Sequence, residues 1–345
     1  NNVMNHICHE SVERGRDGAA DQRPVSQRTR GLPRAGRHHG LRTLAFSEVG
    51  AEHGQERDRQ HDGQEQPRGR RVEAVALGQM HRHGGPEEHR ADHHPGDAEA
   101  EKAPIIIQTS VKTVKSIGAR RLSDHFKLVS SASGSPVSLH LDHCPDRGVI
   151  SECIREGWDS VLFDASHLSL GEATAQTKEV VEEAHARGVN VEGEVEGIQG
   201  VEDGIGSDDA PTLYPLEKVI EFINVTGIDC FAPAIGNAHG LYKQEPQLDI
   251  QRVRDLVAAT NIPMALHGGS GLSAEQFGEL IAAGCAKVNI STALKRAFIE
   301  GYRNYLTAHP SAAEPLTVIA QVRQDLQQIV VHYIRQFGSA GSVSS

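Results

Sequence analysis

Three histidines carry the strongest chemical signal in this chain: His143, His239 and His267 each follow a short apolar run at 137–141, 229–235 and 263–267. Three neutral imidazoles brought together from separate strands, with a fourth position open, make a catalytic zinc arrangement. Asp142 adjoins one of them and therefore stands near any substrate on the metal. The stretch HGGSG at 267–271 contains Gly268, Gly269 and Ser270, small residues that let backbone N–H groups approach an anion. The stretch NIST at 289–292 opens a helix, whose first amides and hydroxyls suit the same anion. Asp164, Ser166 and His167 follow the run at 160–164, and Glu192 and Glu194 close the run at 189–195. Any one of these has an ordinary structural reading, such as a hydrogen-bonded histidine or a simple turn. Six strand ends carrying reactive groups on one rim point instead to a site. The Gly- and Asp-rich stretch 197–210 reads as a long mobile loop over that rim. Glu202 lies in it, and its type fits either a catalytic carboxylate or a solvated acidic loop.

The elements that position these groups repeat regularly. Apolar runs at 104–108, 137–141, 160–164, 189–195, 229–235, 263–267 and 286–290 alternate with helical stretches, among them 171–187, 273–283 and 291–307. Gly188 is expected as the C′ residue of the first of these. Continuous apolar strands separated by helices indicate a parallel sheet covered by helices. Seven β/α units are legible, one short of a closed (β/α)8 TIM barrel, the α/β class in which strand C-termini carry the active site. A doubly wound open sheet would usually show a Gly-rich turn after its first strand, and none is present.

The chain changes character near residue 99. Residues 1–98 hold no Lys, Tyr or Trp, and Phe46 and Ile7 are their sole Phe and Ile. So few large apolar side chains do not offset the entropy of ordering, and the segment reads as disordered. His81, His83, His89, His93 and His94 also allow a metal-binding tail, and the sharp compositional break suggests out-of-frame translation. The expected domains are therefore 1–98, low-complexity, and 99–345, the barrel. The net charge of −11, from 35 Lys+Arg against 46 Asp+Glu, excludes a general nucleic-acid binder. No apolar run is long enough to span a bilayer. The five scattered cysteines, without a CxxC pair, suit reduced thiols and a cytoplasmic protein.

Taken together, HLDH (140–143), SVLFDASH (160–167), VEGEVEG (191–197), GVEDG (200–204), AIGNAHGLY (234–242), LHGGSG (266–271) and KVNIST (287–292) resemble the class II fructose-bisphosphate and tagatose-bisphosphate aldolases, in that family's order and over roughly residues 97–345. The resemblance implies a zinc lyase of carbohydrate metabolism, of the glycolytic type. Such an enzyme splits a ketose bisphosphate into dihydroxyacetone phosphate and an aldehyde, reversibly. It implies His143, His239 and His267 as zinc ligands, Asp142 for the proton on the aldehyde oxygen, and Glu202 for the proton at the dihydroxyacetone phosphate carbon. Asp164 and Glu194 match positions of a second divalent metal. Gly240, Gly268, Gly269, Ser270, Asn289, Ile290, Ser291 and Thr292 would hold the dihydroxyacetone phosphate end, and Ser110 the other phosphate. A monovalent cation and a homo-oligomer, dimer or tetramer, are further implications. No Schiff-base lysine is needed, and Lys287 is the one lysine near these strand ends.

The chain also departs from the family. Gly is common where Glu196 stands, and a Gly pair at Gln199–Gly200, which bears on the loop and on the monovalent cation. Ser291 replaces a frequent Asp or Asn. KVNISTALKRAF and NYLTAHP look closer to tagatose-type members, and IRQFGSAG (334–341) resembles aldolases of inositol breakdown, which act on a phosphorylated keto-sugar acid. The family opens with a strand and helix bearing a GAFN-like motif before the equivalent of Pro104, and residues 1–98 contain no match. That omission accounts for the count of seven. An inactive or misfolded barrel remnant with exposed strand edges, and a zinc hydrolase on the same fold, are the competing readings.

Overall fold

The computed structural model describes residues 101–345, apart from 132, 203–204, 208–211, 243 and 344–345; the side chains of 202 and 205–207 also lie outside the description. The expectations for residues 1–98, the histidine tail among them, lie outside the described residues.

Seven strands form one parallel sheet. β1 (Ile105–Ser110) is followed by α1 (Val111–Ile117) and α2 (Ala119–Ser130), and β2 (Val137–Cys144) by α3 (Arg147–Arg155). β3 (Ser160–Asp164) and α4 (Leu170–His185) come next, then β4 (Asn190–Glu194). A short antiparallel hairpin, β5 (Gly200–Glu202) and β6 (Ile205–Ser207), precedes α5 (Leu216–Thr226). β7 (Cys230–Phe231), α6 (Ile250–Thr260), β8 (Met264–Leu266), α7 (Ala274–Ala283) and β9 (Cys285–Val288) complete the alternation. α8 (Thr292–Ala308) and α9 (Pro315–Gln336) follow. The sheet order β1-β2-β3-β4-β7-β8-β9 steps one strand per β/α unit. Among the described residues this is a TIM-type α/β barrel of seven strands, as the seven apolar runs predict.

Local chemistry fixes the helix boundaries. Ser169 accepts from the Glu172 backbone N–H while the Glu172 carboxylate accepts from Ser169, a capping box that starts α4. Ser273 and Gln276 repeat the device for α7. α4 ends at His185 with Ala186 as its cap, so Gly188, φ +71°, lies beyond the expected C′ position. The core is continuous between sheet and helices, with Trp158, Phe163, Phe222, Phe231 and Phe277 fully buried.

Among the described residues, β1 and β9 each have one neighbour, so the two ends of the sheet carry free edges. Ile106 of β1 packs against Ala286 of β9, which brings those edges toward each other without a ladder between them. The C-terminal segment holds the approach to β1. Gly341 and Val343 donate backbone hydrogen bonds to the carbonyls of Glu101 and Lys102, and Arg335 pairs with the Glu101 carboxylate at 2.6 Å.

Candidate active site

A local irregularity in β2 makes the first part of the site. Successive strand residues alternate faces, so a regular β2 would send Asp142 and His143 in opposite directions. The β2–β3 register instead shifts between Leu141 and Cys144, and His143 has φ +39°. A bulge re-aims a side chain next to a site, and a non-glycine residue in the left-handed region is strained. Both side chains consequently reach the rim: His143 meets His267, and Asp142 accepts from Asn289.

The three histidines come together. His267 Nδ1 lies 2.9 Å from His143 Nε2, and one nitrogen from each of His143, His239 and His267 falls within 4.8 Å of the others. The His143 ring sits edge-on to both partners, with centroids 4.8 Å from His239 and 4.6 Å from His267. Zinc–nitrogen bonds of about 2.0–2.1 Å place tetrahedral ligand atoms ~3.4 Å apart. The trio therefore fits a zinc ion with small ring movements. Burial, then the neighbouring His143, hold the His267 pKa well below the usual imidazole value, so this ring is neutral as a ligand must be.

A carboxylate pair backs His143. Its Nδ1 lies 3.5 Å from Asp164 Oδ2 and 3.5 Å from Glu194 Oε2, and these three groups form a second possible metal-ligating set. Burial disfavours charge on His143, but Asp142, Glu194 and Asp164 outweigh it and raise its pKa well above the ordinary value. Burial likewise works against a charged Asp164, yet the His143 ring and Ser166 hold it down to about 2. Glu194 goes the other way: burial and then Asp164 push it well above the carboxylate range. Its Oε2 accepts no hydrogen bond among the described residues. A buried acceptor of this kind beside Asp164 fits a second cation.

The glycines set how closely the loops approach. Gly268 has φ +68°, and a Cβ there would lie 2.2 Å from the carbonyl oxygen of Ala238, so the loops bearing His267 and His239 touch only because residue 268 has no side chain. Gly200, φ +102°, similarly faces the backbone of His239, whose N–H donates to the Gln199 carbonyl at 2.7 Å. The Gly269 N–H is committed to the carbonyl of Asn289 at 3.2 Å, and Ser270 Oγ accepts from the Ala293 N–H at 3.1 Å. HGGSG and NIST are thus hydrogen-bonded into one unit at the start of α8, with fewer free amides than the sequence pattern implies. Gly240 has φ +95° in the turn after His239, and Ser291 is the N-cap residue of α8, with Thr292 its first residue. Ser110, at the end of β1, pairs in register with Asp142 and caps α1 by accepting from the Thr113 N–H.

The segment after Glu194 is more ordered than an irregular loop: it contains the β5–β6 hairpin, in which Glu202 pairs with Ile205. The Glu202 side chain lies outside the description. Glu196 explains its own departure from glycine. Its buried carboxylate meets Arg252 at 2.6 Å and accepts from the N–H groups of Tyr214 and Ala234. Arg252 also donates to the Tyr214 carbonyl at 3.0 Å. The pair fastens both ends of the segment that carries the hairpin.

Sequence reasoning assigned no role to His140, Glu192 or Lys287, which lie inside the barrel beneath the histidines. Glu192 Oε1 is 2.7 Å from His267 Nε2, and Oε2 is 3.0 Å from Lys287 Nζ. His140 Nδ1 bonds Ser160 Oγ at 2.7 Å. The available signal was parity: Glu192 stands two residues before Glu194 on one strand and so faces the same side.

Histidines and carboxylates gathered on the C-terminal rim of a β/α barrel are groups that could hold a metal, and comparison with known proteins gives the family. The family model for class-II fructose-bisphosphate aldolase matches residues 96–342, and the chain belongs to this family of aldolases, which are lyases. It is similar to a protein of Coccidioides immitis assigned as a fructose-1,6-bisphosphate aldolase, with 29% identity over 71% of this chain and 86% of that one, TM-score 0.65. It is also similar to the YdjI aldolase of Escherichia coli, with 29% identity over 72% of this chain and 86% of that one, TM-score 0.62. The fructose-bisphosphate aldolase of Campylobacter jejuni, at 22% identity over 70% of this chain and 85% of that one and TM-score 0.59, shares the fold. No described helix is long and apolar enough to cross a membrane.

Proposed function

We propose that this chain is a zinc-dependent aldolase that reversibly cleaves a ketose 1,6-bisphosphate of the fructose or tagatose type to dihydroxyacetone phosphate and an aldehyde. The observation that carries the proposal is the convergence of His143, His239 and His267 to within 4.8 Å on the rim of an aldolase-family barrel. When bound there, zinc supplies a Lewis acid for the ketone oxygen. Asp142, held by Asn289 Nδ2 at 3.3 Å, handles the proton on the aldehyde oxygen. Glu202 moves the proton at the dihydroxyacetone phosphate carbon as a general acid/base. Gly240, Gly268, Gly269, Ser270 and Asn289 to Thr292 seat the phosphate of that half, and Ser110 the other. Asp164 and Glu194, with His143, suit a second divalent cation.

The alternative route through a lysine Schiff base finds no support in Lys287. A nucleophilic lysine needs a lowered pKa. Burial pulls Lys287 down, but Glu192 and Asp142 outweigh it and the net shift is upward. The ammonium is moreover engaged with Glu192 at 3.0 Å and Asn289 at 2.7 Å. A homo-oligomer working in the cytoplasm on a phosphorylated sugar completes the proposal. The inositol-breakdown substrate stays the second reading, on IRQFGSAG at 334–341.

A coupled assay for triose phosphate, run on a panel of ketose bisphosphates with and without chelator, tests this. Chelator-sensitive cleavage is expected, with His143→Ala, His239→Ala and His267→Ala losing zinc and turnover together. Full zinc occupancy in all three variants refutes the ligand assignment. Phosphate release without carbon–carbon cleavage favours a hydrolase, and no turnover on any substrate favours the inactive remnant.

A further inference from the structure

A chain of three hydrogen bonds and one buried ion pair runs through the barrel interior from one proposed zinc ligand to the proposed proton-handling carboxylate. His267 Nε2 meets Glu192 Oε1 at 2.7 Å. Glu192 Oε2 meets Lys287 Nζ at 3.0 Å. Lys287 Nζ donates to Asn289 Oδ1 at 2.7 Å, and Asn289 Nδ2 donates to Asp142 Oδ1 at 3.3 Å. All five residues are buried, Glu192 and His267 completely.

Donor and acceptor roles along this path follow from the side-chain types. An ammonium has three donors and no acceptor. Asn289 must therefore turn its oxygen toward Lys287, which leaves its NH2 for Asp142. Glu192 faces the ammonium with Oε2 as an ion pair, and its Oε1, an acceptor only, takes the proton of His267 Nε2–H. A proton on Nε2 makes Nδ1 the lone-pair nitrogen, and Nδ1 is the atom facing His143. A carboxylate behind a ligating histidine is the usual means of fixing its tautomer and ring orientation.

We propose that Glu192 sets the metal-binding tautomer of His267, and that Lys287, acting through Asn289, is a positioning residue that sets the orientation of Asp142. The proposal rests on the zinc-aldolase reading of the site. It distinguishes the two arms of the chain: Glu192 serves metal binding, whereas Lys287 and Asn289 serve turnover.

The test is zinc affinity, by competition with a chromophoric chelator on the full chain, alongside kcat and KM for the ketose bisphosphate that the panel identifies. Glutamine offers one acceptor where glutamate offers two. In Glu192→Gln the ammonium takes the amide oxygen, the NH2 turns to His267 Nε2, and the proton shifts to Nδ1. Zinc affinity should fall about 10- to 100-fold, the usual loss for an outer-shell partner. In Glu192→Gln/Lys287→Met the amide oxygen is free to accept from His267, so zinc affinity recovers most of that loss while kcat stays low. Lys287→Met alone leaves Glu192 Oε1 on His267, so zinc binding persists and kcat falls as Asn289 loses its fixed orientation. A purely structural role would lower thermal stability without this pattern. Wild-type zinc affinity in a folded Glu192→Gln, or a double variant no tighter than it, overturns the proposal. Should Glu192→Gln not fold, Lys287→Met still decides: lost zinc or unchanged kcat overturns it. An unmodified chain that binds no zinc overturns the function proposed above and this inference with it. Tight zinc in the unmodified chain with indifferent variants overturns the inference alone.

Discussion

Replacing Arg252 by Met strands a buried charge. The Glu196 side chain is 1% exposed and its partner 14%, with the contact at 2.6 Å. Breaking such a pair by removing one member costs about 3–5 kcal/mol. Two backbone N–H groups, of Tyr214 and Ala234, still donate to the carboxylate, which argues for the lower figure. At about 2–4 °C per kcal/mol for a domain of this size, a loss of about 3 kcal/mol lowers the melting midpoint by roughly 6–12 °C. The deficit also depends on pH. Burial raises the Glu196 carboxyl above its ordinary range while Arg252 works against the rise. Without Arg252 the folded-state value climbs further. A carboxyl whose folded pKa is raised contributes stability that is fully present below the unfolded value, about 4.3, and is lost as pH rises through the folded value. The variant should therefore be nearly as stable as the parent at about pH 4 and fall progressively behind toward about pH 7. Thermal or urea melts of both proteins in the same metal state, across that range, read the difference. Glu196→Gln/Arg252→Met should recover most of it, since no charge is then buried. A deficit independent of pH, or one below about 1 kcal/mol as for an exposed pair, refutes the account of Glu196 and Arg252 as a buried clasp.

Glu202→Gln should lower turnover by about 10²- to 10⁴-fold, the usual contribution of general acid/base catalysis, with zinc content unchanged. Near-normal turnover would assign Glu202 to the solvated surface of the hairpin. Replacing residues 1–98 with a family β1/α1 segment should raise solubility and the melting midpoint, because each buried unsatisfied backbone group at the free edges of β1 and β9 costs about 1–3 kcal/mol. If the unmodified chain is soluble, melts cooperatively and turns over at full rate, the out-of-frame reading of residues 1–98 falls.

How much of this was legible without coordinates depends on the range of the interaction. Strand runs such as SVLFD at 160–164 and the helical stretch 171–187 are local patterns, and the structure has them within a residue or two. The histidine trio was legible because strand C-termini of a barrel share a rim, so three local patterns predict one meeting point. The bulge that turns His143 into the site was not. HLDH carries no local signal for it, and φ +39° at His143 accompanies a register shift between Leu141 and Cys144 that depends on the neighbouring strand. Glu196 and Arg252 stand 56 residues apart, on a strand end and a helix, and nothing in either segment names the other. Lys287 sits in an apolar strand run with no local sign of its partner, and only the barrel geometry brings it to Glu192.

Among the described residues, the same geometry shows which groups border the open ends of the sheet. The proposed zinc ligands lie near the end of β2 and after β7 and β8, and the carboxylates behind them end β3 and β4, so every donor comes from a described β/α unit. The free edges belong to β1 and β9, which carry Ser110 at the end of one and Lys287 in the other, with Asn289 just beyond it. The metal donors thus sit on the continuous part of the sheet, whereas the groups that orient Asp142 and seat phosphate border the gap. Looseness there would act on Asn289 before it acts on the histidines. An unfilled gap should accordingly weaken turnover and substrate binding while zinc affinity survives, the opposite of what loss of Glu192 should do.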